Sequence, residues 1–276
     1  MRCTVKDIPI YYEIHGSGKP LLLIHGFTPD HRLMSGCFEP LFTVDSGWQR
    51  IYLDLPGMGK TPAPDWLTST DQMLEIVQAF IRQVVKDEPY ALTGESYGGY
   101  LTRGLLAKDA RPIQGVMLLC PAVYADSSRR HVPAHQVMIR EAGVMDGLTQ
   151  DEQNSFDANC VVQTFDVWQK MKRDISCGVD IADRQALERL SKQYAFADEI
   201  ILDEVRFDGP ALFLVGRQDS VVGYADAMSL LPHFPHATYA VLDYAGHNLQ
   251  IEQPDVFNAL TLEWLLRVEK NWVSGE

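Results

Sequence analysis

A repeated alternation constrains this chain more than any other feature. Short runs of apolar residues, each too short for a helix, are followed by segments carrying a helical stripe. Leu-Leu-Leu-Ile at 21–24 is closed by His25-Gly26, and the run at 50–53 is closed by Asp54-Leu55-Pro56-Gly57. Further runs stand at 90–93 and 115–119. A strand covered on both faces reads as such an unbroken run. Between the second and third runs, Met73, Leu74, Val77, Phe80, Ile81 and Val84 are spaced three and four apart. They form one face of a helix that Ser69 or Thr70 can cap. Residues 97–110 make a second helix. The alternation resumes at 211–215, 223–231, 238–242 and 254–269. Strand–helix repetition of this kind predicts an α/β fold, a mostly parallel sheet with helices on both faces. Residues 4–6 and 10–14, separated by Asp7-Ile8-Pro9, predict an opening hairpin.

Between about residues 123 and 208 the pattern breaks and the chain turns polar and helical. Helices are expected around 135–142, 151–160, 164–173 and 183–195, with no strand of comparable strength. The organisation that follows is an α/β core in two parts, 1–122 and 209–276, interrupted after its sixth strand by a helical cap at 123–208. Such a cap would lie over the carboxyl edge of the sheet, where open parallel sheets hold their ligands.

Charge and cysteine content narrow the function. With 24 Lys and Arg against 37 Asp and Glu, the formal charge is −13. A chain this acidic repels phosphate backbones and anionic bilayers, so neither nucleic acid nor a membrane is an expected partner. The expected partner is a small-molecule substrate, and a homodimer is left open. Five cysteines (Cys3, Cys37, Cys120, Cys160 and Cys177) are widely spaced without a CxxC pair. That odd, scattered set argues for free thiols and a cytoplasmic setting. The opening residues hold no apolar stretch long enough for a signal peptide, and no run suffices for a membrane helix.

The chemistry gathers at the ends of the strands. Gly94-Glu95-Ser96-Tyr97-Gly98 fits G-x-S-x-G and stands between a strand and a helix, where a sharp turn can lift a serine Oγ clear of the sheet. Gly94, Gly98 and Gly99 remove side chains that would collide in such a turn. A serine hydroxyl needs a base, and the base an orienting acid. Asp219 follows the strand at 211–215, and His247 follows the strand at 238–242. Asp226 and Asp243 are rival acids, but neither follows a strand in the same way. The order Ser96, Asp219, His247 belongs to one specific fold. Two N–H donors must face the developing oxyanion. The Tyr97 amide, next after the serine, and the Phe27 amide, in the loop after 21–24, are the candidates. His25 is assigned to holding that loop through its ring nitrogens.

Other patterns carry less. Gly59-Lys60-Thr61 imitates the end of a phosphate-binding loop, but Asp54 stands where its first glycine is required. His131 and His135, four apart, lack a third ligand, so no metal site is expected. His233 and His236 lie beside prolines in a loop and are read the same way. Met138, Val144, Met145, Phe156, Val161, Phe165 and Trp168 are spaced as the cap's own core, with Met145 and Trp168 as candidates for lining a substrate pocket.

Together, Leu23-Ile24-His25-Gly26-Phe27, Asp54-Leu55-Pro56-Gly57-Met58-Gly59, Gly94-Glu95-Ser96-Tyr97-Gly98-Gly99, Gly216-Arg217-Gln218-Asp219 and Gly246-His247 resemble the alpha/beta-hydrolase fold superfamily, in particular its small, lidded, esterase-like serine hydrolases. The resemblance covers about residues 5–120 and 210–270. It implies a sheet of eight strands, a Ser96–His247–Asp219 triad and no cofactor. The activity it implies is hydrolysis of a small ester, thioester, lactone or related carbonyl compound through an acyl-enzyme. A receptor of the same fold, with slow or single-turnover hydrolysis, is the rival reading.

Overall fold

The computed structural model describes residues 1–43, 45–108, 111–199, 202 and 205–272. Eight strands build one sheet: β1 Arg2–Val5, β2 Ile8–His15, β3 Lys19–Ile24, β4 Trp48–Leu53, β5 Tyr90–Glu95, β6 Ile113–Leu119, β7 Ala211–Gly216 and β8 Ala237–Leu242. Their spatial order is β1-β2-β4-β3-β5-β6-β7-β8. Only β2 runs against its neighbours β1 and β4; the pairs from β4 through β3, β5, β6 and β7 to β8 are parallel. All residues of β5 and β7 are buried. Successive residues point to opposite faces, so both faces of the central sheet are covered. The outer β8 is only partly buried.

The helices are α1 His31–Phe38, α2 Thr70–Val84, α3 Tyr97–Lys108, α4 Gln150–Asn159, α5 Phe165–Lys170, α6 Arg184–Ser191 and α7 Pro254–Lys270, with shorter turns between them. Ser69 and Gln72 form a reciprocal capping box at the start of α2, and the buried face of α2 includes Met73, Leu74, Val77, Phe80 and Ile81. Phe38 of α1 meets Phe257 of α7 edge-on at 5.4 Å, which ties these two helices together.

Two expectations are corrected at the local level. The hairpin turns at Lys6-Asp7 rather than 7–9; both residues have positive φ, 48° and 65°, as a two-residue turn between twisted strands demands. Pro9 lies inside β2, opposite Thr4. The helix expected at 135–142 does not form. Met138 and Ile139 donate their amides to the Val161 carbonyl and Glu141 donates to Gln163. Ile139–Arg140 and Val162–Gln163 thereby pair as a short parallel ladder.

Between β6 and β7 the insert carries α4, α5 and α6. The end of α5 widens into a π-helical stretch, Met171–Ser176. That stretch packs on α1 so closely that a Cβ on Gly36 would lie 2.3 Å from the Asp174 carboxyl carbon. The insert has no separate core: Val144, Phe156, Val161, Met171 and Leu190 join the cluster that includes β3, β5, α2 and α7. It is also bonded to the sheet layer, through Thr70 Oγ1 to the Tyr194 carbonyl at 2.7 Å and the Phe196 amide to the Tyr100 hydroxyl at 3.1 Å. Among the described residues no helix is long and apolar enough to cross a membrane.

Candidate active site

The three residues singled out at strand ends converge although they lie far apart in the chain. Ser96 sits between β5 and α3 with φ at +51°, a conformation that few non-glycine residues adopt. The turn holds because its surroundings fix it. The Ser96 amide donates to the Leu119 carbonyl at 3.0 Å, and its carbonyl accepts from Tyr100 and Ala122, each at 3.1 Å. A Cβ on Gly98 would lie 2.2 Å from the Ile24 carbonyl oxygen, so only glycine lets α3 begin this close to β3.

His247 turns its Nε2 to Ser96 Oγ at 3.0 Å and its Nδ1 to Asp219 Oδ2 at 2.9 Å. Asp219 is fully buried, and its other oxygen accepts the amides of Val221 at 2.8 Å and Val222 at 3.0 Å. Burial opposes its charge, yet the His247 ring and these two N–H groups hold the carboxyl below its usual range. The rival acids are engaged elsewhere: Asp226 accepts His131 Nδ1 at 2.7 Å, and exposed Asp243 accepts Gln218 Nε2 at 2.7 Å. The Phe27 and Tyr97 amides have no acceptor among the described residues. The Phe27 ring stands edge-on to Tyr97 at 5.4 Å, with the loop at 25–28 against the serine. His25 bridges that loop to the next one, its Nδ1 near the Gly26 carbonyl at 2.8 Å and its Nε2 accepting the Leu55 amide at 3.0 Å.

A comparison with protein families decides what this arrangement belongs to: residues 21–260 match the profile of the alpha/beta hydrolase family. The chain belongs to the alpha/beta hydrolase family. This hydrolase is 26% identical over 270 residues to a pimeloyl-[acyl-carrier protein] methyl ester esterase of Legionella pneumophila (strain Paris), covering 93% of this chain and 99% of that protein. It is 23% identical to the putative carbamate hydrolase RutD of Agrobacterium fabrum, covering 95% of this chain and 100% of that one. Among solved structures, an alpha/beta superfamily hydrolase from Oenococcus oeni PSU-1 superposes with a TM-score of 0.89 at 28% identity, covering 98% and 99% of the two chains.

A cavity of about 370 Å³ opens onto Ser96 and His247 of this hydrolase. The insert supplies Arg130, Asn159, Ile175, Val179 and Tyr194 to its wall. Met145 and Trp168, expected there, are not among the lining residues. Trp168 packs on Phe156 at 5.0 Å and under Lys172, and Met145 is partly buried in the same core cluster. Both pack against the core cluster that the insert shares with the sheet. The π-helical widening instead carries Ile175 into the cavity.

Two buried carboxyl groups that the sequence does not single out lie at this site, one beside the imidazole and one holding its loop. Glu95, next before the serine, is 2% exposed, and its Oε1 lies 3.3 Å from His247 Nε2. Burial pushes its carboxyl up to about 7, opposed by the His247 charge, reinforced by Asp219 and opposed again by the Gly26 N–H it accepts. A Cβ on Gly26 would fall 2.2 Å from the Glu95 carboxylate, so the glycine of His-Gly-Phe makes room for it. Glu252 accepts the Gly246 amide at 2.6 Å and, with its other oxygen, the Val161 amide at 2.6 Å. It joins the His247 loop to the insert. At His247 itself burial disfavours the imidazolium. Asp219 outweighs that, Glu95 adds to it and Arg130 subtracts, and the ring is pushed up to about 9.

Two groupings have the composition of metal sites. In one, the buried Cys120 thiol joins Asp219 and His247 of the site just described. Asp30, His31 and Asp54 are fully engaged with protein. Asp54 accepts the His31 amide and ring Nδ1 at 2.9 and 2.6 Å and the Lys60 amide at 2.8 Å, while Asp30 pairs with Arg32 at 2.6 Å. The Asp54 contacts also account for Gly59-Lys60-Thr61 as a turn around a carboxylate.

Proposed function

We propose that this alpha/beta hydrolase cleaves a small ester or related carbonyl substrate through an acyl-enzyme on Ser96. The observation that carries the reading is the unbroken chain Ser96 Oγ–His247–Asp219, with links of 3.0 and 2.9 Å, at the wall of a partly open cavity. In this reading Ser96 Oγ attacks the carbonyl carbon while its proton passes to His247 Nε2, and Asp219 holds Nδ1–H and balances the imidazolium. The Phe27 and Tyr97 amides receive the oxyanion. As the tetrahedral adduct collapses, Nε2 gives its proton to the departing alcohol. Water then attacks the acyl group, loses a proton to Nε2, and releases the acid as Ser96 regains its hydrogen. The insert acts as a cap that shapes the acyl or leaving-group pocket and excludes water.

The test is hydrolysis of a panel of short para-nitrophenyl esters together with labelling by a fluorophosphonate. Wild-type protein turns over repeatedly and takes one label. Ser96→Ala loses at least ~10⁴-fold in rate, because the triad works as a unit, and takes no label. Stoichiometric labelling of Ser96→Ala would overturn the assignment. A single slow turnover without recovery of free enzyme would favour a receptor of the same fold.

A further inference from the structure

The cavity wall carries a positive charge that no acidic side chain pairs with directly; the exposed Asp126 carboxylate feels it only at longer range. Arg130 stands near the beginning of the insert and lines the same cavity as Ser96 and His247. Three main-chain carbonyls fix its guanidinium: Nε donates to Tyr124 at 2.9 Å, Nη2 to Ala125 at 3.1 Å and Nη1 to Val221 at 3.2 Å. Those carbonyls come from the chain leaving β6 and from the loop after Asp219, so the head group is set in place from two sides. No carboxylate makes an ion pair with it among the described residues, whereas its neighbour Arg129 reaches Glu199 at 3.7 Å and Arg50 reaches Glu39 at 2.7 Å. The N–H donors not given to carbonyls are left to the Tyr194 phenol and the cavity. The charge is felt at the reacting centre, since Arg130 disfavours the His247 imidazolium.

A cation held this firmly in the wall of a small cavity, with no carboxylate paired to it directly, has the chemistry to receive an anion. The planar fork of a guanidinium matches a carboxylate. One positive charge, with the Glu95 carboxyl in the same cavity, suits a monoanion better than a phosphate dianion. Leu33, Ile175 and Val179 give the cavity an apolar stretch of wall suited to a short methylene chain. We infer that the substrate bears a carboxylate that docks on Arg130 while its scissile carbonyl lies at Ser96. The substrate class is then the half-esters, or similar half-derivatives, of short dicarboxylic acids. This inference rests on the hydrolase reading above.

The experiment compares the para-nitrophenyl half-ester of glutaric acid with para-nitrophenyl valerate, which has the same chain length without the carboxylate. The wild-type protein should prefer the half-ester in kcat/KM by roughly ten- to a hundred-fold, the range for a charge-assisted pair. The preference should shrink as ionic strength rises. Arg130→Gln should abolish it, and Arg130→Lys, which keeps the charge but not the fork, should retain part of it. Both esters use the same His247, so their ratio is insensitive to changes in the base or in folding. The second arm needs no turnover: glutarate is titrated calorimetrically into Ser96→Ala protein and into Ser96→Ala/Arg130→Gln protein, with affinity expected to fall at least tenfold in the latter. If valerate is cleaved as well as the half-ester and glutarate binds equally to both proteins, the carboxylate site is overturned while the hydrolase reading stands. If neither ester is cleaved and Ser96 takes no label, the hydrolase reading fails, and the glutarate titration still decides whether Arg130 receives an anion.

Discussion

Nε2 of His247 faces two oxygens, Ser96 Oγ at 3.0 Å and Glu95 Oε1 at 3.3 Å, and in the proposed reaction this second partner bears on when the ring can act as a base. A base must be unprotonated before the serine transfers its proton, and Asp219 and Glu95 both favour the charged ring. The profile of kcat/KM against pH should therefore climb towards about 9, where His247 gives up its proton. Replacing Glu95 by Gln withdraws a charge that stabilises the imidazolium, so the rising limb should move to lower pH. Replacing Arg130 by Gln withdraws an opposing charge, so the limb should move to higher pH. Rate profiles of the two variants check the signs; shifts in the same direction would contradict the electrostatics described here. Ser96, Asp219 and His247 were legible in the sequence because glycines and strand ends mark their positions. Glu95 was not, because the residue before the serine in G-x-S-x-G is unspecified, and only the space above Gly26 makes its carboxyl a neighbour of the base. Arg130 gave no signal either, since nothing in a polar segment says which cation faces the cavity without a paired carboxylate.

At the level of elements, the elbow is a contact between α3 and β3 as much as a turn. Gly98→Ala would drive a methyl into the Ile24 carbonyl, which lies 2.2 Å from the Cβ position. The obstacle is backbone, so the strain can be relieved only by moving the start of α3 or the end of β3, which carry the two proposed oxyanion donors. The variant should lose about 1–3 kcal/mol of stability, a usual cost of overpacking, and a larger share of its hydrolytic rate. Denaturant unfolding beside ester kinetics checks this; full activity with unchanged stability would show that the contact is looser than described. Element types in the sheet were readable from the sequence because doubly buried strands leave apolar runs and α2 leaves a periodic stripe. The insert was harder. Periodicity shows which residues turn inward but not towards which interior, so it does not separate the cavity wall from the shared core that Trp168 packs against. The stretch at 135–142 has enough apolar residues for a helix, yet its amides pair with carbonyls some twenty residues later, a partner that local pattern does not reveal.

For the molecule as a whole, ionisable groups pull stability in two directions. Glu13, held down at about 2, and Asp30, Glu39 and Asp219, also below their usual range, contribute stability that is lost as pH falls through their folded values. Glu95 and Glu252, raised to about 7, contribute stability that is complete below about 4.5 and is lost as pH rises through 7. His247 contributes in the same sense up to about 9. The net charge of −13 adds repulsion on the alkaline side. Thermal stability should then peak near pH 5 and decline towards pH 9, while activity climbs over the same interval. Melting curves across that range test the claim, and Glu95→Gln should flatten the decline between pH 5 and 7. A melting temperature that rose steadily to pH 9 would contradict it. One carboxylate has a further, mechanical consequence. Glu252 grips the Gly246 amide with one oxygen and the Val161 amide of the insert with the other. It works as an interlock: the insert, through Val161 and Val162, and the loop that aims His247 share one carboxylate, so displacing either strips it of partners. The wall of the cavity and the aim of the ring hang on the same hook.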